Sequence, residues 1–209
     1  MGGVVGPGGA VSNQPAGPST ARWFTYNRWP TRMKPSHRDH KDQAPRSVSV
    51  ALVTISDTRD EAADTSGRLI KDMLKEAGHG VNQTHIVPDD PSRISRLLEE
   101  LLASSSLQAV ILNGGTGISH RDVTFDVING ILEKPLPGFG ELFRALSYQE
   151  IGSAAMLSRA TAGVRGGKVL FSIPGSRGAV RLAMEKLILP ELGHIVYELN
   201  KQKAEVKAE

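Results

Sequence analysis

Four short polar stretches carry the residue types from which a phosphate-handling site is built: Ser56-Asp57, Pro88-Asp89-Asp90, the run Gly114 to Asp122, and Pro174-Gly175-Ser176. The third is the most specific. It reads Gly114-Gly115-Thr116-Gly117-Ile118-Ser119-His120-Arg121-Asp122 and follows the apolar run Val110-Ile111-Leu112. A glycine-rich turn between a buried strand and a helix lets backbone N–H groups approach phosphate oxygens, and the helix N-terminus adds positive potential. The run is neither a Walker A motif, which ends in Gly-Lys-Ser/Thr, nor the spaced dinucleotide fingerprint. Two or three carboxylates facing such a cradle, from Asp57, Asp89 and Asp122, are the parts needed to hold Mg²⁺ against phosphates. Phosphoryl or nucleotidyl transfer then needs mainly positioning and charge neutralisation.

Each of these residues also has a structural reading. Asp89 or Asp90 caps a helix, Asp122 caps the helix pattern from Val123, and Ser56-Asp57 is a strand-end turn. Arg121 and His120 read as solvated loop residues. The chain has no Cys and no recognisable Ser–His–Asp motif, so no covalent nucleophile stands out.

The elements that must position these loops follow from hydrophobic periodicity. Val48–Ile55 is β-branched and mostly apolar, as a strand covered on both faces should be. Asp64-Thr65-Ser66-Gly67 introduces a helix with Leu69, Ile70, Met73 and Leu74 on one face, and Gly78 stops it. Val81–Val87 is a weaker strand. Asp90 as N-cap and Pro91 in the first turn begin a helix carrying Ile94, Leu97, Leu98, Leu101 and Leu102. Gln108–Asn113 is the third strand, and Val123, Val127, Ile128 and Ile131 repeat at helical spacing. Pro135 and Pro137-Gly138 break that pattern. Phe139, Leu142, Phe143 and Leu146 mark another helix, and Ala154–Leu157 a short helical piece. Ala160–Val164 and Lys168–Ile173, joined by Arg165-Gly166-Gly167, form an antiparallel pair. The last helix starts at about Ala179, Pro190 interrupts it, and Leu192–Leu199 form a further segment. The sum is an α/β fold, a three-layer α/β/α sandwich with a mostly parallel sheet and an antiparallel edge hairpin. In such sheets ligands collect at the carboxyl ends of the strands, so the four polar loops are expected to converge.

The net charge of the 209 residues, +3, is unevenly spread. Seven basic and two acidic residues precede Ser47, net +5, which leaves 25 − 7 = 18 basic and 22 − 2 = 20 acidic residues, net −2. The basic character therefore belongs to residues 1–46, and the domain has little electrostatic case for binding nucleic acid. That segment reads as a flexible tail rich in Gly and Pro. Its aromatic cluster Trp23, Phe24, Tyr26 and Trp29, among Arg22, Arg28 and Arg32, also admits a partner-binding arm. Residues 47–200 form the domain and 201–209 a charged C-terminal tail. No apolar run approaches the roughly 18–20 residues needed to span a membrane, and no secretory signal is visible. The absence of Cys fits a reducing, cytoplasmic setting.

Between Val50 and Leu199 the chain also resembles a known family. VTISDTR, the DTSG at Asp64–Gly67, IVPDD, NGGTGISHRDVTFD, PGFGELFR, SYQEIGSAAMLSRATAG, IPGSRGAV and LILPELGH occur in fixed order. Together they are similar to the MoaB/MogA family of molybdenum-cofactor biosynthesis proteins, and GFGELFR, AAMLSRATAG and LILPELGH resemble its MoaB branch. The resemblance implies a molybdopterin-binding-domain fold and molybdopterin and ATP as substrates. It further implies Mg²⁺-dependent adenylylation of the pterin's terminal phosphate, with pyrophosphate leaving. Asp89 and Asp122 correspond to the catalytic carboxylates and the Mg²⁺ ligands. Gly114, Gly115, Thr116 and Gly117 correspond to the phosphate site. Ser56, Asp57, Gly175 and Ser176 complete the pterin/nucleotide cleft, with Ser158 and Arg159 as weaker additions. Trimers or hexamers are implied as well. Phe125 and Arg177 stand where proline is frequent in the family. Some MoaB-branch members are inactive as adenylyltransferases, so a non-catalytic molybdopterin carrier is the alternative, and an interaction scaffold a third reading.

Overall fold

The structure, a computed structural model, describes Gly2, Gly3 and residues 43–205, with side chains through Lys201. The aromatic-basic cluster expected to mark a tail or an arm, Arg22 to Arg32, lies outside the described residues, as do residues 206–209. Six strands make one sheet: β1 (Ser49–Ile55), β2 (Gly80–Val87), β3 (Ala109–Asn113), β4 (Lys134–Pro135), β5 (Thr161–Arg165) and β6 (Lys168–Ile173). Their order is β2-β1-β3-β6-β5-β4. The pairings β2–β1, β1–β3 and β3–β6 are parallel; β5 runs antiparallel to β6, and β4 to β5. The helices are α1 (Thr65–Glu76), α2 (Pro91–Ala103), α3 (Thr124–Ile131), α4 (Pro137–Ile151), α5 (Arg177–Ala183) and α6 (Leu189–Glu205).

The apolar runs of the central strands exist because both faces are covered. Within β1, Val50 and Leu52 face one core with Ile70 and Leu74 of α1, Phe139 and Phe143 of α4, and Val180 of α5. Their neighbours Ala51, Val53 and Ile55 face the other, with Ile94, Leu97, Leu98 and Leu101 of α2 and Ile128 of α3. β3 divides in the same way, Ala109 and Ile111 to one side and Val110 and Leu112 to the other. This is the period-2 alternation of a strand with no polar face left over. Each fully buried Leu or Ile contributes about 1.5–3 kcal/mol relative to exposure.

Two local expectations are corrected. Pro190 does not interrupt the last helix. Met184–Ile188 form a π-helical turn in which Leu189 donates to the Met184 carbonyl, and helix continues through Pro190 to Glu205. The π register moves the carbonyl that the proline ring would otherwise meet, so the ring is accommodated. That helix also begins earlier than expected, at Arg177. β4 was not visible in the sequence, because two residues cannot show a period. It is built by pairing with β5, flanked by Glu133 and Leu136, whose N–H groups donate to Val164 and Ala162. Among the described residues no helix is long and apolar enough to cross a membrane.

Candidate active site

The strand register decides which loops meet. The chain passes from β1 out to β2 and then back across to β3 on the other side of β1. That reversal is the topological switch point at which a crevice opens beyond the strand ends. Thr54 is level with Asn113, and Asn113 with Ile173, so β1, β3 and β6 end side by side. Gly114 is locked into this junction by its N–H, which donates to the Ile173 carbonyl at 3.0 Å. A side chain on Gly114 would run into the Ile55 carbonyl, and one on Gly175 would come within 3.2 Å of the Gly114 Cα. Gly114 and Gly115 have φ of +110° and +62°, a left-handed region that favours glycine. The glycines are thus needed for three strand ends to close on each other while the loop turns away.

A cavity of about 450 Å³ lies over this junction. Ser56, Thr58 and Arg59 line it from the end of β1, the whole Gly114–Gly117 turn and Asp122 from the end of β3, and Gly175 and Ser176 from the end of β6. Phe143, Ser147 and Ile151 of α4 and Leu157 and Ser158 beyond it close the remaining side. Of the residues singled out in the sequence, Ser56, Gly114, Gly115, Thr116, Gly117, Asp122, Ser158, Gly175 and Ser176 therefore share one cavity. Asp57 and Asp89 are not among its lining residues.

The hydroxyls of the cavity are poised to donate. Ser56 Oγ accepts from the N–H groups of Thr58 and Arg59, and Ser176 Oγ caps α5 by accepting from Ala179 N at 3.3 Å. Ser56 Oγ thus has both lone pairs engaged and Ser176 Oγ one, and neither O–H proton has an acceptor among the described residues, so each remains for a ligand. Ser158 Oγ is buried with no partner among the described residues, a state that a bound acceptor would relieve.

The carboxylates divide their work. Asp90 is the N-cap of α2, accepting from Arg93 N at 2.8 Å. Asp89 instead reaches across the chain: its Oδ1 accepts from Thr124 Oγ1 at 3.0 Å and from Val123 N at 3.3 Å, which ties it to the start of α3. Its own N–H donates to Asp57 Oδ1 at 3.2 Å, and Asp57 lies 3.8 Å from Arg121. The second Asp89 oxygen faces Gly115, where a side chain would come within 2.5 Å of it. Asp122 is not a helix cap. Val123 holds that position without a side-chain bond, and Asp122 Oδ2 folds back to accept from Ser119 N at 2.9 Å, leaving Oδ1 unengaged among the described residues. Burial pushes the Asp89 carboxyl above its ordinary range, and the nearby charges of Asp122 and Asp57 push the same way, against the bonds from Thr124 and Val123. Extra charge of the opposite sign would be stabilised here. Among the described residues no group of three or more His, Asp or Glu is placed to hold a metal ion. The two carboxylates beside the glycine turn, Asp122 in the cavity and Asp89 behind Gly115, would suit a cation that takes one or two carboxylates and fills its remaining positions with water and phosphate oxygens, as Mg²⁺ does.

Arg159 has a different place from the one expected of a ligand-binding residue. Its Nε donates to the Gly117 carbonyl at 2.8 Å, its Nη2 to the Asp122 carbonyl at 2.5 Å, and its Nη1 pairs with Asp126 at 3.0 Å. The guanidinium also lies 4.9 Å from the centre of the Phe125 ring, within cation–π range. It is a clamp on the outside of the glycine loop. Asp64, which in the sequence only introduced a helix, is a buried carboxylate that accepts from Thr54 Oγ1 at 2.5 Å, Gly67 N at 2.8 Å and Ser66 Oγ at 3.1 Å. Only the spacing of Asp64 to Gly67, an N-cap three residues before a glycine, hinted at it.

Comparison with known proteins agrees with this fold. Residues 51–194 match the family described as "Probable molybdopterin binding domain". Molybdenum cofactor biosynthesis protein B of Bacillus cereus is 54% identical over 165 residues, spanning 78% of this chain and 98% of that protein. A crystal structure of a molybdenum cofactor biosynthesis protein B superposes with a TM-score of 0.74 at 55% identity, over 77% of this chain and all 100% of the other. The tungsten cofactor synthesizing protein MoaB from Pyrococcus furiosus does so at 0.67 and 40%, over 75% and 99%. With the switch-point cleft, the glycine loop and matches of this extent, the chain belongs to the MoaB/MogA family of molybdenum cofactor biosynthesis proteins.

Proposed function

We propose that this protein binds molybdopterin in the switch-point cleft and adenylylates its terminal phosphate with Mg-ATP. The observation that carries the reading is the presence, in one cavity, of the Gly114–Gly117 turn and the Asp122 carboxylate with one oxygen unengaged. An oxygen of the pterin phosphate attacks the α-phosphorus of ATP, the Pα–O–Pβ bond breaks, and pyrophosphate departs with the electron pair. The chain's task is to orient these groups and spread their charge. The glycine turn brings backbone close to phosphate oxygens, and the Ser56, Ser158 and Ser176 hydroxyls donate to them. Asp122, with Asp89 behind Gly115, would hold the Mg²⁺, which when bound neutralises the phosphate charge that develops. Asp89 also fixes the start of α3 and so the position of Asp122.

Asp122→Asn is expected to lower pyrophosphate release from Mg-ATP and molybdopterin by at least about 100-fold while the thermal transition stays put. Retained turnover in that variant would sink the role given to Asp122. A binding-only carrier is the second reading, favoured by the absence of Asp89 from the cavity lining. It predicts molybdopterin affinity with no pyrophosphate release in the wild type.

The homo-oligomer, a trimer or hexamer, is part of the same proposal. Leu142, Tyr148 and Ile151 of α4 and Met156 and Leu157 just after it are all more than half exposed. Exposed apolar side chains gathered on a helix and the turn that follows it are what an interface between copies would cover, and Ile151 and Leu157 also line the cleft. Light scattering on the full chain should give a mass of three or six protomers, and Leu142→Glu with Met156→Glu should return it to one.

A further inference from the structure

Among the described residues, Arg59 is the only lysine or arginine that lines the cleft. Its guanidinium is held from one side. Nη1 donates to Ser66 Oγ at 2.6 Å and lies 3.8 Å from Asp64 Oδ1. Both anchors are fixed: Ser66 and Asp64 are buried, and Asp64 is itself tied to Thr54 and Gly67. Nε and Nη2 have no partner among the described residues, and about a third of the side chain, 35%, is exposed. A guanidinium tethered at one nitrogen and open at the others is pre-organised for forked recognition of an oxyanion. By contrast Arg159 is committed to the loop backbone, and Arg121 is 83% exposed and pairs with Asp57 outside the cavity.

We propose that Arg59 is a ligand-contacting residue of this cleft that donates its free Nε and Nη2 hydrogens to a phosphate group, with Ser66 and Asp64 as its positioning residues. This rests on the reading of the cleft as a site for phosphorylated ligands. The phosphate chemistry is shared by the ATP triphosphate and the pterin's terminal phosphate. The contact serves both binding and transfer, because charge on phosphate oxygens near a fixed cation is neutralised without reorganisation.

The test is isothermal titration of the full-length protein with inorganic pyrophosphate, a non-hydrolysable ATP analogue and anaerobic molybdopterin, each with Mg²⁺. Wild type is compared with Arg59→Gln, Arg59→Lys and Ser66→Ala. Loss of a charged hydrogen-bond pair predicts affinity for at least one of the phosphate ligands weakened about 10- to 100-fold in Arg59→Gln. Arg59→Lys recovers part of it, and Ser66→Ala loses an intermediate amount although the guanidinium is intact. The dependence of log Kd on log salt should flatten in Arg59→Gln, which a purely structural role would not produce. Loss toward the ATP analogue alone assigns Arg59 to the triphosphate, and loss toward molybdopterin alone assigns it to the pterin phosphate. Tight wild-type binding left unchanged in Arg59→Gln overturns the proposal while the reading of the cleft survives. No wild-type binding of any of the three ligands overturns both. Circular dichroism and the melting temperature of each variant exclude a folding defect as the cause.

Discussion

Asp89 gives the sharpest test of how the site is held, because two substitutions at one position should move stability in different directions. Its Oδ1 is the acceptor for the Thr124 hydroxyl, which is fully buried, and for the Val123 amide at the start of α3. Asp89→Ala removes that acceptor and strands a buried donor, at a cost of about 1–3 kcal/mol. For a domain of this size each kcal/mol lowers the melting temperature by about 2–4 °C, so a drop of roughly 2–12 °C is expected. Asp89→Asn keeps an acceptor oxygen and removes only the charge. That charge is unfavourable here: burial, then Asp122 and Asp57, raise the carboxyl's proton affinity in the native state.

The pH dependence follows from that direction. A carboxyl raised in the folded state binds its proton more tightly there than in the unfolded chain, whose value is about 3.9. Its ionisation therefore subtracts from stability, fully so once the pH is above the native value, and not at all below the unfolded one. Asp89→Asn should accordingly melt at or above the wild-type temperature at pH 8 without Mg²⁺, with the gap closing as the pH falls toward 4. Differential scanning calorimetry across that range measures both effects. If Asp89→Asn is as destabilised as Asp89→Ala at pH 8, the account of Asp89 as a strained, loop-fixing carboxylate is wrong. Pyrophosphate release should fall in both variants, because neither retains the negative charge proposed to face the cation.

Two further outcomes are expected. Arg159→Lys should lose the fork that joins the carbonyls of Gly117 and Asp122 and the Asp126 carboxylate, lower stability by about 1.5–3 kcal/mol, and speed amide exchange in residues 116–122; unchanged exchange there would refute the clamp. His79, whose Nδ1 accepts from Val48 N at 3.2 Å, is held below its ordinary range by burial, so it stays neutral when the unfolded chain takes up a proton near pH 6.5. The stability it contributes is full above that pH and is lost as the pH falls through its native value. The melting temperature of His79→Asn should change less between pH 7 and 5 than that of the wild type.

Much of this arrangement was legible in the sequence because the forces behind it are local. β1 and β3 read as double-faced strands since their Val, Ile and Leu must satisfy two cores at once. The Asp90-Pro91 start of α2 was readable because capping is a contact of three residues. What remained hidden depends on partners far apart in the chain. Asp89 looked like a cap or a metal ligand, yet its side-chain partner Thr124 is 35 residues away. Arg159 looked like a cleft residue, but its carbonyl partner at Gly117 is 42 residues back and faces the outside of the loop. Arg59 stands in a strand-end turn where nothing local shows that a buried Asp64–Ser66 pair will hold it toward the cavity.

The same contacts explain why the glycine loop needs two fasteners. Gly114 and Gly115 adopt the left-handed conformation, and a side chain at Gly115 would collide with Thr124 Oγ1 and the Asp89 carboxylate. The inner side of the loop is thus pressed against α3 by Asp89. Its outer side is gathered by Arg159, which binds the loop at Gly117 and again at Asp122. A glycine-rich turn would otherwise forfeit much conformational entropy on ordering, and each ligand would have to supply it. Fixing both sides beforehand transfers that cost from binding to folding. It also leaves the Oδ1 of Asp122 and the Nε and Nη2 of Arg59 without partners among the described residues. Beside the serine hydroxyls, the charged groups with spare bonding capacity in the cleft, among the described residues, are thus one anion and one cation. Such a pair suits the divalent metal and phosphate chain of the proposed reaction better than it suits an apolar or neutral ligand.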